Sequence, residues 1–432
     1  MSYKRLTLEM VLKALARVLV WRYRPLIIGV TGNVGKTSTK EAITTVVRTR
    51  MTVRASPGNL NNDIGLPLSI LGDWGDAYYH QGPSLAFWVR VIGSAVRDCI
   101  VRSSTYPRAL VLEYSADRPK DISRLARLFK PHIAVVTAIG DIPVHVEFFR
   151  SPDAVAREKS ALVHALLPSD YVILNADDER VLDMRLSARA RVRTFGSQKT
   201  ASASFSHEAP WIEDGVMKGM VCKVHYDGGF VPVRIPGVLG RTTCYAVAAA
   251  AAVGHILHVN ALAMSEAFSS YRSPAGRLRI LSGIKHTTII DDTYNAAPAA
   301  MRMALETLRD VPARRKVAVL GDMLELGGFT IEAHEAIGNS VHAIAQRLVC
   351  VGERAALIGR VAEKHMPKDA VQYAHTADEA KLLVQDLLEE GDLVLVKGSQ
   401  GMRMEKIVAE VMAEPQLAKE LLVRQYGHWL AS

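Results

Sequence analysis

A chain of 432 residues has the length of two to four domains. Its 49% apolar and 22% charged residues exclude a disordered or fibrous protein, and no apolar run approaches the roughly 18 residues a membrane-spanning helix needs. The net charge is +9, and much of it sits at the start: residues 1–24 carry Lys4, Arg5, Lys13, Arg17, Arg22 and Arg24 against Glu9 alone. Four dispersed cysteines, with no CxxC and no Cys/His cluster, argue against a disulfide framework or a structural zinc site and fit a reducing cytoplasm. Helix-turn-helix, RNP and zinc-finger patterns are absent, so nucleic acid is not an expected partner.

The opening segment is predicted to be an amphipathic helix. Leu8, Val11, Leu12, Leu15, Val18 and Leu19 recur at helical spacing, and Glu9, Lys13 and Arg17 form the opposite stripe. The same charges make it a poor signal peptide. It either packs on the following domain or touches the inner face of a membrane through its basic side chains. Pro25 closes it, and residues 26–30 read as a buried strand. Further strand-like runs follow at 109–113, 133–137, 171–175, 288–292, 316–320, 348–351 and 393–397. Helical patterns lie between them, including 40–48, 90–102, 245–255, 299–309 and 376–389. At the start of the helix read over 90–102 and just before it, Trp88, Val89, Val91 and Ile92 are expected to pack on a sheet. Thr376 with Glu379 three residues on is a capping-box start. Strands alternating with helices predict parallel α/β sheets. Residues 202–240 read instead as a small antiparallel insert, and the Ser273-Pro274-Ala275-Gly276 break marks a boundary. The expected organisation is therefore a basic helix over 1–24, a P-loop ATPase domain over 25–275 and a Rossmann-like domain over 276–432.

Between the strand at 26–30 and the next helix stands Thr31-Gly32-Asn33-Val34-Gly35-Lys36-Thr37-Ser38. A glycine-rich turn at a strand-to-helix junction cradles phosphate oxygens, a lysine there reaches the β/γ phosphates, and the hydroxyl after it suits Mg²⁺. Val30 stands where the longer form of this motif has its first glycine. Thr31 to Ser38 are the candidate nucleotide-binding residues.

Thr31-Gly32-x-x-Gly35-Lys36-Thr37 resembles the phosphate loop of the Mur ligases, ATP-dependent amide-forming enzymes of peptidoglycan precursor synthesis. In chain order the resemblance continues through residues 58–67, Leu112-Glu113, Arg118-Pro119-x-Asp121-Ile122, Thr137-x-Ile139-Gly140 with His145, and Arg157-Glu158-Lys159-Ser160. It resumes at Asn175-Ala176-Asp177-Asp178, Gly276-Arg277, residues 291–298, residues 321–327 and Lys397-Gly398-Ser399. It covers about residues 25–410, and the blocks at 291–298 and 321–327 are most similar to the D-alanyl-D-alanine-adding branch. Two departures stand out. Only about 24 residues precede the first strand, where that branch carries a domain for the UDP-sugar end of its substrate. Thr242-Thr243 and Ala246 stand where the family usually has His-Asn and then another Asn, in a segment it sets near adenine.

The resemblance implies that ATP phosphorylates a substrate carboxylate and an amine then displaces the phosphate, in the cytoplasm, by a monomer. The expected reaction adds D-alanyl-D-alanine to a UDP-muramoyl-tripeptide. The alternative is a relative joining a different amino acid or peptide to a different carboxylate. Lys36, His145, Lys159 and Arg277 are the implied catalytic residues. Thr37, Glu113, His145 and an N-carboxylated Lys159 are the implied holders of two Mg²⁺ ions. Asp292 and Asn295 fall near the nucleotide, with Tyr294 shaping the same edge. Asn59, Asn61, Asn62, Asp322, Glu325, Lys397 and Ser399 are implied in substrate binding.

Overall fold

The computed structural model describes residues 3–116, 118–226 and 228–430. The helix α1 (Tyr3–Tyr23) leads into β1 (Leu26–Thr31), α2 (Lys36–Val47), β2 (Val53–Ala55), α3 (Gly65–Leu71), α4 (Leu85–Ile100) and β3 (Ala109–Glu113). Then come α5 (Asp121–Leu128), β4 (Ile133–Val136), α6 (Pro152–His164), β5 (Tyr171–Asn175), α7 (Glu179–Leu182) and β6 (Arg191–Gly196). Three long strands, β7 (Ala203–Glu213), β8 (Val216–Tyr226) and β9 (Gly229–Pro236), and the helices α8 (Arg241–Ile256) and α9 (Ala261–Ser269) complete the first domain. Its sheet has nine strands in the order β2-β3-β1-β4-β5-β6-β7-β8-β9. Residues 202–240 are thus not a separate insert. β7 joins β6 in parallel through Phe195 and Ala203, and the hairpins of β7, β8 and β9 continue the same sheet. Their antiparallel hydrophobic alternation is local, but the parallel pairing with β6 rests on only two residue pairs, Phe195 with Ala203 and Gly196 with Ser204, and alternation does not encode such a register.

The second domain holds β10 (Arg279–Ser282), β11 (Thr288–Asp292), α10 (Pro298–Asp310), β12 (Lys316–Gly321), α11 (Thr330–Val341), β13 (Arg347–Val351), α12 (Ala356–Ala362), β14 (Val371–Ala374), α13 (Ala377–Leu387), β15 (Leu393–Lys397) and α14 (Glu405–Val411). Its sheet order is β10-β11-β15-β12-β13-β14, parallel except at β10. Strands buried at every position, such as Ala109–Glu113 and Leu393–Lys397, are those expected of parallel sheets covered on both faces. One predicted helix start shifts and another stays in place. α2 begins four residues before its sequence pattern, directly after Gly35, and Thr376 caps α13 by accepting from the Glu379 N–H.

The opening helix packs differently from its sequence pattern. Leu12, Ala16 and Leu19 are buried against the first domain, whereas Val11 and Val18 face outward. Glu9, expected on the solvent stripe, is buried and pairs with Arg5 and Lys13. Lys13 also lies 2.6 Å from Asp63, ahead of α3. With apolar residues on all sides of α1, periodicity leaves its inward face open, and docking against α3 and α4 settles it. In α4, likewise, Phe87 and Val91 are buried while Val89, expected in the packing, stands 63% exposed.

Candidate active site between the two domains

The phosphate loop is built by two glycines at positive φ, the first of which leaves no room for a side chain. Gly32 has φ +144°, and a Cβ there would stand 1.9 Å from Thr137 Oγ1. Gly35 has φ +84° and caps α2. The N–H groups of Asn33 and Val34 both donate to the Ala138 carbonyl, and Asn33 Nδ2 to that of Ile139, so the loop is stitched to the segment after β4. The N–H groups of those two residues therefore anchor the loop. The N-terminus of α2, with Lys36 and Thr37, is what the loop offers to an anion. Thr31 is buried and donates from Oγ1 to Tyr114 O, and Tyr271, just before the domain boundary, donates to Ser38 O at 3.4 Å.

A cavity of about 480 Å³ opens at this point between the domains. One wall carries Asn33, Val34, Lys36, Thr37, Asn59, Asn61, Asn62, Glu113, Ser115, Arg118 and His145; the other carries Arg277, Tyr294, Asn295, Glu325 and Gln400. Glu113 ends β3 and is buried. It accepts from Thr37 Oγ1 and from Asn61 Nδ2, each at 3.1 Å. Asn59 is held by Tyr79, whose hydroxyl donates to its Oδ1 at 2.6 Å, and Asn62 Oδ1 accepts from the N–H groups of Ile64 and Gly65. His145 and Glu325 meet across the cleft, Nδ1 to Oε2 at 2.5 Å, each in the left-handed backbone region. The hydrogen bond from His145 holds the Glu325 carboxyl below the usual carboxylate range.

Arg277 is gripped from both sides. The neighbouring N–H groups of Gly276 and Leu278 donate to Asp291 and Asp292, adjacent carboxylates at the end of β11. Its guanidinium lies 4.0 Å over the Tyr294 ring, and its buried Nε has no hydrogen-bond partner among the described residues. A flat cation with an aromatic ring behind it and donors to spare suits phosphate oxygens. Tyr294 and Thr293 are in turn held by their carbonyls, which accept from Arg424, and Arg424 reaches Glu405 at 2.5 Å. Burial opposes ionisation of Glu405, but the hydrogen bonds from Arg424 and Arg403 keep its carboxyl below the ordinary range.

Several expected site residues stand behind the cavity and not on it. Asp292 pairs with the buried Lys397 at 2.6 Å, and Lys397 also donates to Asn295 O. Burial lowers the Lys397 pKa. Ser399 accepts from Leu324 N–H and donates to Ala296 O. Asp322 accepts from Ala355 N–H, and burial raises its carboxyl. Lys159 is buried on α6 and is absent from the cavity lining. In place of contact, Asp292, Lys397 and Ser399 fix the backbone on which Asn295, Tyr294 and Glu325 are mounted. Sequence reasoning passed over Gln400 and Ser115, which line the cavity one residue after Ser399 and two after Glu113. Adjacency to those motifs was the available signal. Nothing local pointed to Tyr79 or Arg424, whose partners Asn59 and Tyr294 lie 20 and 130 positions away.

As for metal, the Thr37 hydroxyl and the Glu113 carboxylate form a pair of hard oxygen donors at the phosphate end of the cavity, which fits Mg²⁺. No group of three metal-ligating His, Cys, Asp or Glu side chains occurs among the described residues, so the remaining ligands of such an ion would be phosphate oxygens and water.

The comparisons with known proteins agree with this geometry. Residues 101–254 match the Mur ligase middle domain, and residues 276–400 match the Mur ligase glutamate ligase domain. The UDP-N-acetylmuramoyl-tripeptide–D-alanyl-D-alanine ligase of Mycobacterium leprae is 31% identical, over 86% of this chain and 71% of that one. Its Bacillus subtilis counterpart is 27% identical, over 94% and 79%. Among solved structures, MurF from Thermotoga maritima in complex with ADP superposes with a TM-score of 0.75 at 24% identity, covering 96% of this chain and 84% of that one. MurF from Acinetobacter baumannii gives 0.75 at 23%, covering 93% and 80%. These two structures bear on the fold, and the sequence matches bear on descent: the chain belongs to the Mur ligase family of ATP-dependent ligases.

Proposed function

We propose that the enzyme joins D-alanyl-D-alanine to UDP-N-acetylmuramoyl-tripeptide, in the cytoplasm and as a monomer. The substrates are those of the relatives that match most of its length. The observation that carries the reading is the single cavity in which a phosphate loop faces an arginine of the opposite domain.

The γ-phosphoryl group of ATP passes to the carboxylate of the peptide, leaving ADP and an acyl phosphate. The amine of the dipeptide attacks the acyl carbon, the amide forms, phosphate leaves and the nitrogen loses its proton. Little covalent work falls to the protein in such a transfer; positioning and neutralisation of charge dominate. Lys36 and the α2 N-terminus neutralise the β/γ phosphates from one wall. Arg277 meets the transferring group from the other, which it reaches because Asp291, Asp292 and Tyr294 aim it. Mg²⁺ held by Thr37 and Glu113 would supply further charge neutralisation on the phosphate oxygens. A second ion would fall to Glu113 and His145, which line the same cavity, while Lys159, the candidate for N-carboxylation, is buried behind it. Asn59, Asn61 and Asn62 present amides to the peptide substrate. The His145–Glu325 contact spans the walls and favours the closed cleft, which excludes water from the acyl phosphate.

Phosphate release from ATP and Mg²⁺, with products followed by mass spectrometry, tests this. Release that requires both UDP-N-acetylmuramoyl-tripeptide and D-alanyl-D-alanine, with formation of the pentapeptide, is expected. Release indifferent to either substrate would overturn the assignment and favour another carboxylate and amine.

A further inference from the structure

The outward faces of α1 and α4 contradict the rule that a docked helix turns its polar side to water. On α1, Leu6, Met10, Val11, Val18 and Trp21 are exposed, Trp21 by 72%. On α4, Leu85, Val89, Val96 and Ile100 are exposed, Leu85 by 82% and Ile100 by 72%. Leu6, Met10 and Trp21 on α1, with Val11 and Val18 seven apart beside them, and the α4 set at spacings of four and seven each fall on one side of their helix. The helices are packed together. Their C-terminal ends are tied by Arg22 Nη2 donating to Ile100 O and by the Tyr23 hydroxyl donating to Asp98 O. Exposed apolar side chains of this density mark a surface that is covered by something.

The charges say what covers it. Arg17 and Arg24 are exposed on and beside α1, and Arg90, Arg97 and Arg102 on and after α4. The acids of the two helices are Glu9 and Asp98, both buried, Glu9 between Arg5 and Lys13 and Asp98 against Arg97. Around the α4 angle, Arg90 and Arg97 flank the apolar stripe on one side. An apolar stripe with an exposed tryptophan and a margin of arginines is complementary to a bilayer whose headgroups are anionic: the stripe enters the acyl boundary and the guanidinium groups meet phosphates. A second copy of the chain would bring the same margin of arginines against each other, with no exposed acid on either helix to meet them. No helix among the described residues is long and apolar enough to cross a membrane, so the contact is superficial.

We propose that the paired faces of α1 and α4 form a docking surface for an anionic phospholipid bilayer. This assigns the contact to two helices, separated by more than sixty residues, and to the apolar side of α1. The proposal is independent of which substrates the cleft takes.

Sedimentation of the full chain with vesicles tests it. Phosphatidylglycerol/phosphatidylcholine vesicles are expected to carry the protein down, with binding that weakens as salt rises. Pure phosphatidylcholine should bind about tenfold less or more weakly still. Val18→Ser/Trp21→Ser/Val89→Ser and, separately, Arg17→Glu/Arg90→Glu should each lower partitioning by about tenfold, with the thermal transition and ATP hydrolysis in solution unchanged. The wild-type chain staying in the supernatant, equal binding to both vesicle types, or unaltered binding by both variants would overturn it. So would vesicle-free dimerisation that the apolar variant abolishes, since the face would then belong to a second copy.

Discussion

The two walls of the cleft are made in opposite ways. On the first, Gly32, Gly35, Lys36 and Thr37 fall within six residues, and the loop needs one strand, one helix and the anchor at Ala138. On the second, Arg277 depends on carboxylates at 291 and 292, a ring at 294, a buried lysine at 397 and an arginine at 424. The loop wall is a local device whose Lys36 and Thr37 line the cavity. The arginine wall is a tertiary device whose charged groups mostly serve one another. A charge in the first wall therefore bears on chemistry, and a charge in the second bears first on folding.

Lys36→Ala tests the first half of that contrast most severely. It should cut ATP-dependent phosphate release by about 10³-fold while leaving the urea midpoint unmoved, and a matching loss of stability would erase the distinction. Lys397→Met should do the reverse. It strands the Asp292 carboxylate in a buried site at a cost of about 3–5 kcal/mol, read by urea denaturation, whereas Asp292→Leu/Lys397→Met should restore most of it. If the single variant were as stable as wild type, the pair would not be a folding element.

Asp291 sharpens the contrast through pH. Burial raises its carboxyl to about 6, although Thr293 and Gly276 donate to it. The native state thus holds a proton that the unfolded chain has released between about pH 4 and 6. Its contribution is fully present at the acid end and is lost as pH rises through 6, by about 3 kcal/mol. Unfolding free energies of wild type and Asp291→Asn, compared at pH 4.5 and 7, should show wild type relatively more stable at the lower pH; a pH-independent difference would remove Asp291 as the cause. Tyr294→Leu is the mildest change. Taking the ring from beneath Arg277 should lower kcat by roughly two- to tenfold with little change in KM for ATP, and an effect confined to stability would make the stack merely structural.

The difference between walls also explains how far the sequence could be read. The short strands β2, β10 and β14 and the half-exposed β6 went unread, but parallel α/β sheets and eight of the fifteen strands among the described residues were legible, because buried strands are written in contiguous apolar residues. So was the phosphate loop. The family resemblance located Arg277, Glu113 and the three asparagines, all of which reach the cavity. Sequence alone could not separate residues that line the cavity from residues that support it. Asp292, Lys397, Ser399 and Asp322 share motif blocks with lining residues, and which way each side chain turns is decided by partners that lie between 14 and 105 positions away. The same holds for α1. Its composition determined that a helix would form and that it would be basic. Only packing against α3 and α4 decided that Leu12, Ala16 and Leu19 go inward and Trp21 outward, because a helix apolar on every side has no preferred face until a neighbour buries one.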